Sequence, residues 1–112
     1  MKKLTAIAFA SGLAVACGPA LAADVDAGKT LYVQSCASCH GQQAQGQGMF
    51  PKLAGRSAEH IATALSHYKN GEQDALKKMG DLGGPNFPIM APNAAGLSEE
   101  DMENLGAYIA SL

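Results

Sequence analysis

Wherever apolar residues in this chain keep a rhythm it is the helical one, and no stretch sustains the two-residue alternation of a half-buried strand. The first periodic segment, from about Asp26 to Ala37, carries Leu31 and Tyr32 as apolar surface, with Asp24 or Asp26 placed to cap it. Gly28 lies inside it at a cost in helix stability, which predicts a close helix contact there or a frayed first turn. Gly41 to Gly48 reads as a polar Gln/Gly loop, too poor in apolar residues to be packed, and Phe50 to Gly55 as a turn with two apolar anchors. A second helix is expected from Ser57 to Asn70: Ser57 caps it, Glu59 complements its N-terminus, and Gly71 stops it. Ile61, Leu65 and Tyr68 then fall on one face. From Glu72 to Pro88 the pattern is irregular, with a short helix from Asp74 to Met79 and a break at Gly83-Gly84-Pro85. The last helix is the clearest. Ser98 caps it, Glu99, Glu100 and Asp101 crowd its first turn, and Met102, Leu105, Tyr108, Ile109 and Leu112 form one apolar stripe. The pattern predicts an all-α domain without internal repeats.

One apolar run stands outside this scheme. Leu4 to Ala16 is broken only by Thr5, Ser11 and Gly12, follows a basic Met1-Lys2-Lys3, and precedes Ala20-Leu21-Ala22, a small-x-small cleavage site. Residues 1–22 therefore read as a secretory signal peptide and 23–112 as the functional domain, exported to the periplasm as a soluble protein. Ala14-Val15-Ala16-Cys17 also faintly resembles a lipoprotein processing site, which would tether the chain to a membrane through Cys17. Removing 22 of the 112 residues leaves 90, a thin basis for a purely proteinaceous core. The full chain has eight Lys plus Arg and ten Asp plus Glu; without Lys2 and Lys3 the balance is six to ten, a formal charge of −4. An acidic domain with no basic stripe is not a nucleic-acid binder, and its expected partners are proteins with basic or mixed faces, reached by electrostatic steering.

Composition leaves the chemistry to Cys36-Ala37-Ser38-Cys39-His40. Two cysteines two residues apart, followed by histidine, form the attachment signature of c-type haem: each thiol adds to one vinyl group, and the adjacent imidazole becomes an axial ligand of the iron. A thioredoxin-like pair would need a βαβ context, and structural zinc would need two further ligands, neither of which the pattern offers. Of three cysteines, Cys17 leaves with the leader and the other two are used by haem, so no disulfide is expected. The sixth iron position is open to Met90, Met49, Met79, Met102, His60 or His67. Met90 is favoured because Pro88 and Pro92 stiffen what reads as an extended loop around it, lowering the entropy lost in presenting the thioether. Met102 belongs to the last helix's stripe, Met49 lies close to His40 in sequence, and Met79 beside Gly80 is the main rival.

The order of these elements resembles the class I c-type cytochromes: Cys-x-x-Cys-His near the start, Pro51 to Gly55, a Met loop, and a final Leu-x-x-Tyr-Ile from Leu105 to Ile109. More narrowly, Phe50 to Gly55 and Ile89 to Ser98 look like the small bacterial periplasmic monohaem members. That resemblance implies a cytochrome c fold of three to five helices wrapped around one covalent haem. It implies close crossing of the first and last helices at Gly28 and Tyr108, and a Pro51 carbonyl accepting from His40. Leu53 and Leu65 are then expected on or near the haem, and Arg56 as a propionate partner. The Glu72 to Phe87 stretch is longer than in the smallest members. With iron held by His40 and Met90, the implied function is electron transfer between redox proteins such as those of a respiratory chain, with transient docking and no small-molecule substrate. The alternative is a haem enzyme or a gas- or peroxide-reactive protein with a labile sixth ligand.

Overall fold

A computed structural model describes residues 22–80 and 86–112. The leader through residue 21, with Cys17, and the expected break at Gly83-Gly84-Pro85 lie outside the described residues. Within them the secondary structure is helical: α1 (Val25–Ser35), α2 (Ala37–His40), α3 (Ala58–Asn70), α4 (Gln73–Lys78), α5 (Phe87–Ala94) and α6 (Glu99–Ala110). The all-α class is as expected; there is one helix more than the upper expectation of five because the chain turns at Cys36 and re-enters a single helical turn, and because the Met90 segment is itself helical.

Local chemistry sets most boundaries. Asp24, not Asp26, caps α1, its carboxylate accepting from the Ala27 N–H at 3.1 Å. Ser57 accepts from the His60 N–H at 3.1 Å to start α3, and Gly71, left-handed at φ +72°, ends it. The α6 start is a full capping box, Ser98 Oγ accepting from the Asp101 N–H and the Asp101 carboxylate from the Ser98 N–H, each at 3.0 Å.

Two glycines let the long helices meet at backbone distance. A Cβ on Gly28 would sit 2.0 Å from the Asn104 carbonyl oxygen and 3.0 Å from Tyr108 Cβ, so α1 crosses α6 in contact, and the frayed-turn reading is set aside. The Asn104 side chain accepts from the Asp24 N–H at 2.7 Å, and Tyr32 meets Tyr108 with ring centroids 5.4 Å apart. A Cβ on Gly106 would lie 2.5 Å from the Ala58 carbonyl oxygen, which makes the same kind of contact between α6 and α3. Ile61, Leu65, Leu105 and Ile109 are buried between these helices.

Two expectations are corrected. The Pro88 to Pro92 segment is helix α5, not an extended loop. Proline in a helix's first turn is already set to helical φ and gives up an N–H that has no partner there; the Met90 N–H then bonds the Asn86 carbonyl at 3.0 Å. Phe87 stacks on Tyr68 of α3 at 5.6 Å and holds this short helix against the bundle. In the Gly41–Gly48 loop, expected to be unpacked, the glutamines are exposed but Ala44 is fully buried at φ +53°, and its carbonyl accepts from the Leu53 and Ala54 N–H groups at 2.9 and 3.0 Å.

Candidate functional site

Helices α2, α3, α5 and α6 and the 47–53 segment enclose a cavity of about 830 Å³. Ile61, Ala64 and Leu65 come to its wall from α3, and Leu105 and Ile109 from α6, because their spacing keeps them on the inward faces. Cys36, Cys39 and His40 enter from the turn after α1 and from α2; Met90 enters from α5. Among the described residues no Asp, Glu, Lys or Arg lines this cavity, and its exposed rim includes Met49, 63 % accessible, and Ile89.

His40 is 7 % exposed, and its Nδ1 lies 2.9 Å from the Pro51 carbonyl oxygen. A carbonyl only accepts, so Nδ1 carries the proton and donates, leaving Nε2 as the ring's donor atom for a metal. The edge of the Phe50 ring faces the imidazole at 6.2 Å. The Cys36 thiol is pushed up to about 11, chiefly by burial and then by the neighbouring Cys39 charge. A Cys36 thiol raised in this way lacks the depressed pKa that a redox-active dithiol uses. Among the described residues no group of three or more His, Cys, Asp or Glu could hold a metal ion, which leaves the zinc reading without a ligand set.

The donor set suits a covalently held haem. Two half-buried free thiols, an imidazole in the metal-donating tautomer and a thioether from a separate helix share one cavity, large enough for a cofactor and mostly apolar. Pro51, Leu53 and Leu65 also line it. Of the other candidate sulfurs, Met49 reaches the rim, Met79 packs against the core away from the cavity, and Met102 is buried on α6. His60 and His67 do not line it: His60 Nε2 lies 3.4 Å from an Arg56 guanidinium nitrogen, and His67 Nδ1 lies 3.3 Å from Glu72. Arg56 is not brought to the cavity wall either; its Nε donates to the Lys52 carbonyl at 3.1 Å.

Tyr68, Phe50 and Asn86 are among the contributors that sequence patterning missed. Tyr68 reads as core but lines the cavity, with its hydroxyl pKa raised by burial; its place beside Leu65 on one helical face was the available signal. Phe50 was adjacent to the expected acceptor Pro51. Asn86, whose side chain donates to the Met49 carbonyl at 2.7 Å across 37 residues, had no local signal.

A family model for cytochrome c matches residues 25–112. Cytochrome c-554(547) of Halothiobacillus neapolitanus is 68% identical over 91 residues, covering 81% of this chain and 99% of that protein. Cytochrome c-554(548) of Halomonas halodenitrificans is 33% identical over 80% of this chain and 98% of its own length. The thiosulfate dehydrogenase electron acceptor of Stutzerimonas stutzeri is 32% identical over 76% of this chain and 38% of its own length.

Proposed function

This chain belongs to the cytochrome c family, with one covalently bound haem c and a role in electron transport, and from that premise we propose that it is a periplasmic electron carrier whose iron is held by His40 and Met90. When bound, the haem supplies a one-electron Fe(II)/Fe(III) couple. The residues of the chain do the rest. Cys36 and Cys39 tether the ring, and the Pro51 carbonyl holds His40 in the donating tautomer and raises its basicity. Met90 would supply the second donor to the iron, and thioether ligation raises the potential relative to a second imidazole. Leu53, Ile61, Leu65, Leu105 and Ile109 keep water from the ring.

The observation that carries this reading is that the His40 imidazole from α2 and the Met90 thioether from α5 line one mostly apolar cavity, with the Met49 thioether only at its exposed rim. With His40 and Met90 both committed to the iron, the site would offer no open position to a substrate or gas. His60 and His67, the imidazoles that would have served peroxide or gas chemistry as an acid–base pair, face elsewhere. A relative named as the electron acceptor of a dehydrogenase supports redox proteins as partners, and the exposed rim suits brief docking. Export rests on the Met1 to Ala22 leader.

Substituting the proposed ligand tests the assignment. Holoprotein carrying Met90→Ala should lose the ferric sulfur–iron charge-transfer band, bind carbon monoxide rapidly when ferrous, and show a lower midpoint potential. An unchanged spectrum and potential would move the ligand to Met79 or to a histidine.

A further inference from the structure

The hydrogen bond from His40 to Pro51 is only as well placed as the loop that presents the carbonyl. That loop is folded tightly on itself. The His40 carbonyl accepts from the Gly46 N–H at 2.8 Å, and a Cβ on Gly46 would lie within 2.9 Å of Lys52 N, Phe50 O and Pro51 C. Ala44 ties the far side through its bonds from Leu53 and Ala54. Where this loop leaves α2, Gly41 sits at φ +87°, a conformation that L side chains rarely adopt. Its carbonyl accepts from the Ala44 N–H at 3.1 Å and from the hydroxyl of Tyr32 at 2.6 Å. Tyr32 belongs to α1, is 0 % exposed, and is braced by Tyr108 of α6. A phenylalanine would fill the same core space. The hydroxyl adds one thing: it fixes the peptide immediately after the haem-motif histidine to the crossing of α1 and α6.

We propose that Tyr32 is a positioning residue for His40, its hydroxyl holding the Gly41 peptide so that the imidazole keeps its rotation and its bond to Pro51. The inference rests on His40 as the axial ligand and adds to that reading a control on ligand strength. Strain in the loop gives the hydroxyl something to resist, because Ala44 holds a left-handed backbone angle, φ +53°, that a looser loop would relax, whereas Gly41 takes its φ of +87° at no steric cost. With Gly41 released, the Nδ1–H to Pro51 bond lengthens, the imidazole becomes a poorer donor, and the ferric state loses support.

The test is Tyr32→Phe in holoprotein, read by NMR and potentiometry. Hyperfine-shifted His40 ring signals in the ferric wild type establish ligation first; their absence would overturn the ligand assignment itself, and this inference with it. Given those signals, the variant should exchange its His40 Nδ1–H with solvent about tenfold faster or more and should show a higher midpoint potential. Unaltered exchange and potential, with or without a loss of stability, would make Tyr32 a core filler and overturn the proposal. Tyr108→Phe, which keeps both the ring contact and the Tyr32 hydroxyl, should leave both readouts at wild-type values.

Discussion

Gly28 is the residue on which the packing of the chain's two ends depends. Its missing side chain is the space in which the Asn104 carbonyl lies, so Gly28→Ala forces backbone against backbone. The expected loss is about 3 kcal/mol of unfolding free energy in guanidinium titrations of the holoprotein. Gly55 makes the contrast: nothing stands within 4 Å of its Cβ position, but its φ is +88°, so Gly55→Ala should cost about 1 kcal/mol from backbone strain alone. An equal cost at the two sites would contradict the close crossing. Buried tyrosines set a second expectation. Burial is the main cause that pushes Tyr32 up to about 12, and it raises Tyr68 as well. An unfolded tyrosine ionises near 10. Above that pH the unfolded chain sheds protons that the folded chain keeps, so stability is full below about pH 10 and falls as pH rises toward 12. Unfolding titrations between pH 9 and 11 should show the decline, and Tyr32→Phe should flatten part of it; a level wild-type profile would contradict the burial of these hydroxyls.

Helix boundaries were legible where the signal lay within four residues of the boundary. Ser57, Gly71, Ser98 and Asp101 announce α3 and α6 because capping is a bond between near neighbours in sequence, and the structure contains each of those bonds. Ser98→Ala should accordingly cost about 1 kcal/mol, measurable as a lower Tm of the holoprotein, with Ser98→Asp recovering most of it. Helix α5 was illegible for the opposite reason. Two prolines in five residues suggest extended chain, and what makes the segment helical is its Asn86 carbonyl, a first turn suited to Pro88, and the stack of Phe87 on a tyrosine 19 residues earlier. The burial of Ala44 in the largely exposed Gly41–Gly48 loop escaped notice similarly: the residue is small, and only the fold of the loop around it encloses it.

Across the molecule, charge and cofactor cavity are separated. Acidic side chains gather at helix starts, as with Glu59, Glu99, Glu100 and Asp101, while the cavity wall is built of uncharged ones. The net negative charge is felt at a distance, whereas the exposed rim of the cavity presents apolar groups such as Met49 and Ile89. The cavity also makes cofactor and fold interdependent. A domain of this size with about 830 Å³ unfilled at its centre lacks the contacts that would order α3, α5 and α6 around it. Protein with Cys36→Ser and Cys39→Ser, prepared without haem, should keep much of its far-ultraviolet helical signal, lose its near-ultraviolet signal, and bind a hydrophobic dye. A sharp, cooperative unfolding transition in that form would show that the polypeptide core suffices.

The order of residues already carried the haem motif, the all-helical class and the capped helices, since each is written in spacings of a few positions, while at Gly28 it left a close helix contact and a frayed turn both open. It also named Met90, though for a loop that is in fact a helix. The cavity's shape, the displacement of Arg56, His60 and His67 from its wall, the Gly106 contact and the reach of the Tyr32 hydroxyl to Gly41 came only with packing. Those features depend on distances between segments far apart along the chain, and such distances exist only once the helices have met.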